Sequence, residues 1–157
     1  MKRSRNLTLT LAAPADAVPI AAMSRELIEA GLPWTWTPER VAHNLARPDT
    51  LVLTARDGAP LAGFAIMQFG DERAHLSLLA VRPDCRRQGV ARRMLEWLTA
   101  SALTAGIASI HLELRETNRD ARRFYIDQGF TETTRVSGYY RGVETAVRMQ
   151  RGIRIES

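Results

Sequence analysis

The stretch Leu79-Ala80-Val81-Arg82-Pro83-Asp84-Cys85-Arg86-Arg87-Gln88-Gly89-Val90-Ala91 sets an apolar strand, a short basic turn and the start of a helix end to end. Such a junction aims several unpaired backbone N–H groups, and the positive end of the helix dipole, at one place. A phosphate or pyrophosphate suits that place. Gly89 has no Cβ, so an anion can approach the backbone there, and the flanking arginines add charge. Neither G-x-x-x-x-G-K-S/T nor G-x-G-x-x-G occurs, which excludes the two common nucleotide loops. R-R-Q-G-V-A stands in their place. Taken alone, the segment reads equally as a basic surface turn before an ordinary helix.

The surrounding chain narrows the choice. Its 157 residues make a single domain, 1–157, long enough to bury a core. With 45% hydrophobic and 25% charged residues it has the balance of a globular protein and not of a disordered one. No apolar run is long enough to span a membrane. Met1-Lys2-Arg3-Ser4-Arg5 has the charge of a signal-peptide start, but Asn6-Leu7-Thr8-Leu9-Thr10-Leu11 alternates as a strand and is too polar for what should follow. A cytoplasmic location is therefore expected. The one cysteine, Cys85, cannot form an intrachain disulfide, which fits a reducing compartment. It reads as an incidental surface thiol, with no His or second Cys near it in sequence.

The net charge of +5 points to anionic partners, and Lys2 is the only lysine. Arg82, Arg86, Arg87, Arg92 and Arg93 crowd one segment, and Arg119, Arg122 and Arg123 another. Guanidinium forks match phosphate oxygens. A phosphorylated cofactor accounts for both clusters. Nucleic acid is disfavoured, since no aromatic-interleaved basic repeat or known reader motif is present.

Periodicity and turn residues predict a strand at Leu7–Leu11, a helix from Pro14 to about Glu29, and a short helix capped by Thr37 and opened by Pro38. Strands follow at Thr50–Arg56, Leu61–Phe69 and Ala74–Val81, then a helix from about Gln88 to Ala105. Val90, Met94, Trp97 and Leu98 recur on that helix at core spacing. A strand at Ala108–Leu114, a helix at Asn118–Gln128, and strands at Phe130–Val136 and Val143–Met149 complete the order β-α-α-β-β-β-α-β-α-β-β. The last two strands are joined through Ser137-Gly138-Tyr139-Tyr140-Arg141-Gly142. A meander leading into a β-α-β crossover implies a mixed sheet with helices packed on it.

A second motif lies downstream. Asn118-Arg119-Asp120-Ala121-Arg122-Arg123-Phe124-Tyr125-Ile126-Asp127-Gln128-Gly129-Phe130 resembles N-x-x-A-x-x-x-Y-x-x-x-G-F, and Arg86–Ala91 resembles the R/Q-x-x-G-x-G/A pyrophosphate loop. Both are signatures of the GNAT superfamily of N-acetyltransferases, whose element order this chain also follows. Among subfamilies it is most similar to the ribosomal-protein alanine N-acetyltransferases, through Leu112-Glu113-Leu114 and the Tyr139-Tyr140 pair.

The resemblance implies an α/β fold: a mixed, mostly antiparallel sheet of about seven strands, with about four helices. It implies acetyl-CoA as co-substrate, no metal, and direct attack by a primary amine in a ternary complex. Backbone groups of Leu79, Ala80 and Val81 are expected to pair with the pantetheine arm, an N–H near Val81 to hold the thioester oxygen, and those of Arg87, Gln88, Gly89, Val90, Ala91 and Arg92 to hold the pyrophosphate. Asn118 caps its helix and is a further candidate for the pantetheine arm. Glu113 is the expected general base. Alternation from Ile110 to Arg115 puts it on one face with His111 and Arg115, where partial burial should raise its pKa from about 4.3. A surface pairing with Arg115 or His111 is the structural alternative, and His75 and His111 are alternative bases. Tyr125 is the expected general acid, with a core aromatic as its plainer reading.

Trp34, Trp36, Tyr139 and Tyr140 lie in the two loops that overhang the acceptor in this family, and each can bind acceptor or pack the core. The acceptor is an amine, a protein N-terminus ahead of a small amine or antibiotic, and the enzyme a monomer or homodimer. A CoA-binding regulator without turnover and an RNA-associated protein are the competing functions.

Overall fold

The computed structural model describes residues 7–140, 142 and 144–154. The basic start Met1–Arg5, and Arg141 and Val143 of the last connection, lie outside the described residues. The elements are β1 (Leu7–Leu11), α1 (Ala17–Leu27), α2 (Pro38–Leu45), β2 (Thr50–Asp57), β3 (Leu61–Phe69), β4 (Arg73–Val81), α3 (Val90–Thr104), β5 (Ser109–Arg115), α4 (Arg119–Asp127), β6 (Thr131–Tyr140) and β7 (Glu144–Gly152). They follow the order read from the sequence. One correction concerns the tyrosines: Tyr139 and Tyr140 belong to β6, which continues through the region expected to be loop. Residues 141–143 separate Tyr140 from β7, where Glu144 pairs back with Tyr140.

Local chemistry explains the helix starts. Thr37 Oγ1 accepts from Arg40 N at 3.3 Å, with Pro38 in the first helical turn. Asn118 Oδ1 accepts from Ala121 N at 3.1 Å and caps α4. Helix α3 opens on Gly89, in the left-handed region at φ 78°.

The seven strands form one sheet in the order β1-β2-β3-β4-β5-β7-β6. Every pair is antiparallel except β4–β5. Ile66 faces Leu78 while Met67 faces Leu76, so Ser77 is an extra residue, a bulge in β4. The bulge reverses which side chains face which way. Ala74 and Leu76 pack with Leu95, Leu98 and Ile110 in one core, whereas Leu78 and Ala80 pack with Ile20, Val41, Trp36 and Phe64 in the other. Unbroken alternation would send all four to one face.

The parallel ladder is short. It joins Arg73, Ala74 and His75 to Ser109, Ile110 and His111 and then stops, although β4 runs on to Val81 and β5 to Arg115. Beyond His75 the strands part, and a gap opens in the sheet. Among the described residues, no helix is long and apolar enough to cross a membrane.

Candidate active site

The gap between β4 and β5 opens into a cleft of about 680 Å³. Leu79, Ala80, Val81, Arg87, Gly89, Val90, Ala91, Arg92 and Asn118 line it, as do Glu113, Tyr125 and Tyr140. Gln88 is the exception, its side-chain amide turned to Asp84 O at 3.4 Å. Because β5 has left, the ladder gives β4 no partner on this edge beyond His75. Apart from Val81 O, which accepts from Arg86 Nε at 3.1 Å, the strand's edge here can bond an extended ligand as an added strand does.

At the end of β4 the chain turns through two left-handed residues, Arg87 at φ 61° and Gly89 at φ 78°. Such turns gather backbone N–H groups around a concavity that suits an anion. No side chain caps α3, so the N–H groups of its first turn have no protein partner of that kind. Arg87 holds its strained conformation at the mouth of this cradle, at a cost on the order of 1–2 kcal/mol. Opposite, Arg115 Nη1 lies 3.4 Å from Glu144, while its Nε and Nη2 are buried without a hydrogen-bond partner among the described residues. An uncapped helix, a glycine cradle and an orphaned guanidinium fit a long anionic ligand such as acetyl-CoA. Among the described residues, no group of His, Cys, Asp and Glu is placed to hold a metal ion.

Cys85 corrects its sequence reading, for it is fully buried. Its Sγ lies 3.4 Å from Arg82 Nη2, and it packs in the same core as Val90 and Met94. The thiol is a plug beneath the turn.

Tyr125 is buried, edge-to-face with Phe124 at 5.1 Å and Phe130 at 5.4 Å. The ring is packed, as its plainer reading expects, and it also lines the cleft. Burial pushes its phenol pKa up, so it keeps its proton more firmly than a free tyrosine.

Glu113 faces the other side of the sheet. Neither expected surface partner claims it. His75 Nε2 lies 2.6 Å from its Oε1, Tyr139 donates its hydroxyl to the same oxygen at 3.2 Å, and Arg148 Nε stands 3.7 Å from Oε2. The expected upward pKa shift is overturned. Burial does push the carboxyl up, but the His75 hydrogen bond and charge, the Tyr139 hydroxyl and Arg148 together hold it below its ordinary value. A carboxylate only accepts, so the hydrogen between them sits on His75 Nε2. In a neutral ring Nδ1 then carries the lone pair and accepts from Ser77 Oγ at 3.2 Å. His111 lies apart from this cluster: its Nε2 is 2.8 Å from Ser109 Oγ, and it does not line the cleft. Burial, with the charges of Arg73 and His75, lowers its pKa against the pull of Glu113.

A second cavity of about 380 Å³ adjoins this cluster and is lined by Trp36, Arg40, Gln68, His75, Ser77, Glu113, Tyr139 and Tyr140 among others. Trp36 is 8% exposed and belongs to the core, presenting only an edge. Trp34 lines neither cavity; its Nε1 donates to Ala21 O at 3.2 Å, and Arg25 stacks on its ring at 4.9 Å. Trp34 is therefore packed away from both cavities, whereas Trp36 is a core residue that also lines the second. Ser77, Arg148, Gln68 and Glu29 were not legible as site residues. Ser77 is exposed to the site only by a bulge, and the others arrive through pairings and loops distant in sequence.

The glycine turn and the Glu113–His75 cluster lie at one break in the sheet. Residues 21–130 match the acetyltransferase (GNAT) family. Over 133 residues, 75% of this chain and 88% of the other, the sequence is 35% identical to the ribosomal protein bS18-alanine N-acetyltransferase of Salmonella typhimurium. The crystal structure of the ribosomal-protein-S18-alanine N-acetyltransferase from Escherichia coli matches with a TM-score of 0.83 at 28% identity, covering 96% of each chain. An N-acetyltransferase from Thermoplasma acidophilum, solved in complex with coenzyme A, shares the fold with a TM-score of 0.79 at 18% identity, over 94% of this chain and 99% of that one. This chain belongs to the GNAT family of acetyltransferases.

Proposed function

We propose that this protein acetylates the N-terminal amine of a protein in the cytoplasm, using acetyl-CoA as donor, with both reactants held together across the gap between β4 and β5. The observation that carries this reading is that an anion cradle and the Glu113 carboxylate line the same cleft, with His75 bonded to that carboxylate from the adjoining cavity. The protein N-terminus is taken from the bacterial relatives named for acetylating a ribosomal-protein alanine.

Bound acetyl-CoA supplies an activated acetyl group whose thiol leaves. The free edge of β4 at Leu79–Val81 orients the donor, with a backbone N–H near Val81 as the oxyanion donor, while Arg87–Arg92 and Asn118 hold its polar parts. Tyr125 keeps its proton and offers it to the departing sulfur. With its pKa raised, it works chiefly as a hydrogen-bond donor to developing negative charge, and full transfer follows only as the sulfur leaves.

On the acceptor face the amine must lose a proton. Glu113, held as a carboxylate, is a weak base at neutral pH but a strong partner for an imidazolium. His75 therefore takes the proton at Nδ1, through Ser77 Oγ or a water, and Glu113 stabilises the charge that results. Tyr139 and Arg148 fix the carboxylate.

The test is free-thiol release from acetyl-CoA across peptides with varied N-termini, polyamines and aminoglycosides. Turnover with peptides carrying a free N-terminal amine is expected, and none with the same peptides blocked. Transfer only to small amines would keep the family and overturn the acceptor. Acetyl-CoA binding without transfer to any amine would mark a regulator.

A further inference from the structure

Glu29 lies just beyond α1, and its carboxylate is buried. It accepts from Ser24 Oγ at 3.1 Å, from Thr35 N at 2.7 Å, from Thr35 Oγ1 at 2.6 Å and from Trp36 N at 3.2 Å. A buried carboxylate is tolerable only when its lone pairs are filled in this way. Most of the donors come from six or seven residues along the chain, so one side chain closes residues 29–36 into a strap.

The strap has a second function available to it. Leu32, Pro33, Thr35 and Trp36 wall the same cavity that His75 and Glu113 enter. It is fastened elsewhere by the Trp34–Ala21 hydrogen bond and by the Arg40 guanidinium, which stacks on Trp36 at 3.8 Å. Glu29 lines this cavity as well, but its lone pairs are taken by Ser24, Thr35 and Trp36, so its effect on an acceptor passes through the wall it holds.

We propose that Glu29 is a positioning residue for the acceptor amine: it holds the 29–36 strap in one shape, so the wall facing His75 and Glu113 is formed before the acceptor arrives. This rests on the acetyltransferase reading above. A loop already ordered does not have to be ordered by the ligand, and that difference appears as affinity. The donor cradle lies on the opposite face and should not feel it.

The experiment compares wild type with Glu29→Gln, which keeps the size but turns an amide against N–H donors, and with Glu29→Asp. The substrate is a peptide with a free N-terminal alanine. Readouts are kinetics for peptide and acetyl-CoA, and amide hydrogen exchange at Thr35 and Trp36. In Glu29→Gln the peptide KM should rise about tenfold with kcat changed less, the acetyl-CoA KM should hold, and both amides should exchange faster. Glu29→Asp should recover part of the peptide KM. Faster exchange with an unchanged peptide KM would leave Glu29 as scaffolding and overturn the proposal, as would an equal rise in both KM values. Should Glu29→Gln fail to fold, Thr35→Val removes one donor and carries the same test, with a peptide KM rise of about threefold. If wild type transfers acetyl to no amine, the acetyltransferase reading falls. The strap is then judged by peptide affinity with CoA bound, followed by tryptophan fluorescence: a tenfold weaker variant supports it and equal affinity overturns it.

Discussion

The two faces of the sheet meet at the same gap, yet they are built by different means. On the α3–α4 face the candidate donor site is mostly backbone: the free edge of β4, a turn with two left-handed residues and the uncapped start of α3. On the α1–α2 face the candidate acceptor side is mostly side chains, His75 and Ser77 from β4, Glu113 from β5, Tyr139 from β6 and Arg148 from β7. A backbone site tolerates most substitutions and fails at those that fill its concavity. A side-chain site fails residue by residue, and each failure has its own pH dependence.

The sharpest break should come on the donor face. Gly89→Glu places a carboxylate in the cradle at a φ that L residues resist, and should cost roughly 10³-fold in kcat/KM while abolishing the rise in melting temperature that acetyl-CoA gives. A folded mutant that still responds to acetyl-CoA would remove the cradle from the donor site.

Tyr125→Phe comes next, with turnover down roughly 10²-fold, acetyl-CoA still bound, and stability changed by no more than about 1 kcal/mol because the ring stacking on Phe124 and Phe130 survives. A donor with a better leaving thiol should suffer less. Full activity would reduce Tyr125 to packing.

On the acceptor face, His75→Gln and Glu113→Gln should each lower kcat/KM by about 10–10²-fold, most at low pH, with acetyl-CoA affinity unchanged. If Glu113→Gln is harmful and His75→Gln is not, the carboxylate is the base after all. Stability offers a separate reading. The folded pKa of Glu113 lies below its unfolded value, so its contribution is complete above about pH 4.3 and is lost as pH falls through the folded value. Acid titration of the melting temperature should therefore be shallower in Glu113→Gln than in wild type.

The smallest effect belongs to Cys85→Ala. Loss of a small buried group beneath the turn should cost about 1 kcal/mol and leave kcat within about twofold.

The same contrast governs what could be read in advance. The candidate donor side was legible because its parts are contiguous, with strand, turn, glycine and helix all between Leu79 and Arg92, and because Asn118 and Tyr125 stand at a recognisable spacing. Glu113 could be singled out from its strand, but its partner could not. His75 lies 38 residues away, and only the ladder between β4 and β5 brings the two together. Its pKa was expected to move the wrong way for the same reason, since burial can be guessed from alternation but a neighbour's charge cannot. Ser77 was hidden by the bulge, which no propensity marks. Cys85 was misplaced because an arginine-rich turn looks exposed, whereas the thiol is folded under it.

The short ladder between β4 and β5 has a mechanical meaning as well. It divides the sheet into a four-stranded piece, β1 to β4, and a three-stranded piece, β5, β7 and β6, stitched along their common border by Arg73–His75 against Ser109–His111. A seam so short resists shear poorly, and its free length faces the cleft. A ligand lying along that free length touches both pieces and acts as a splint. Its binding should stiffen strands it never contacts, and slowed amide exchange in β2 and β7 upon acetyl-CoA addition would register the splint directly.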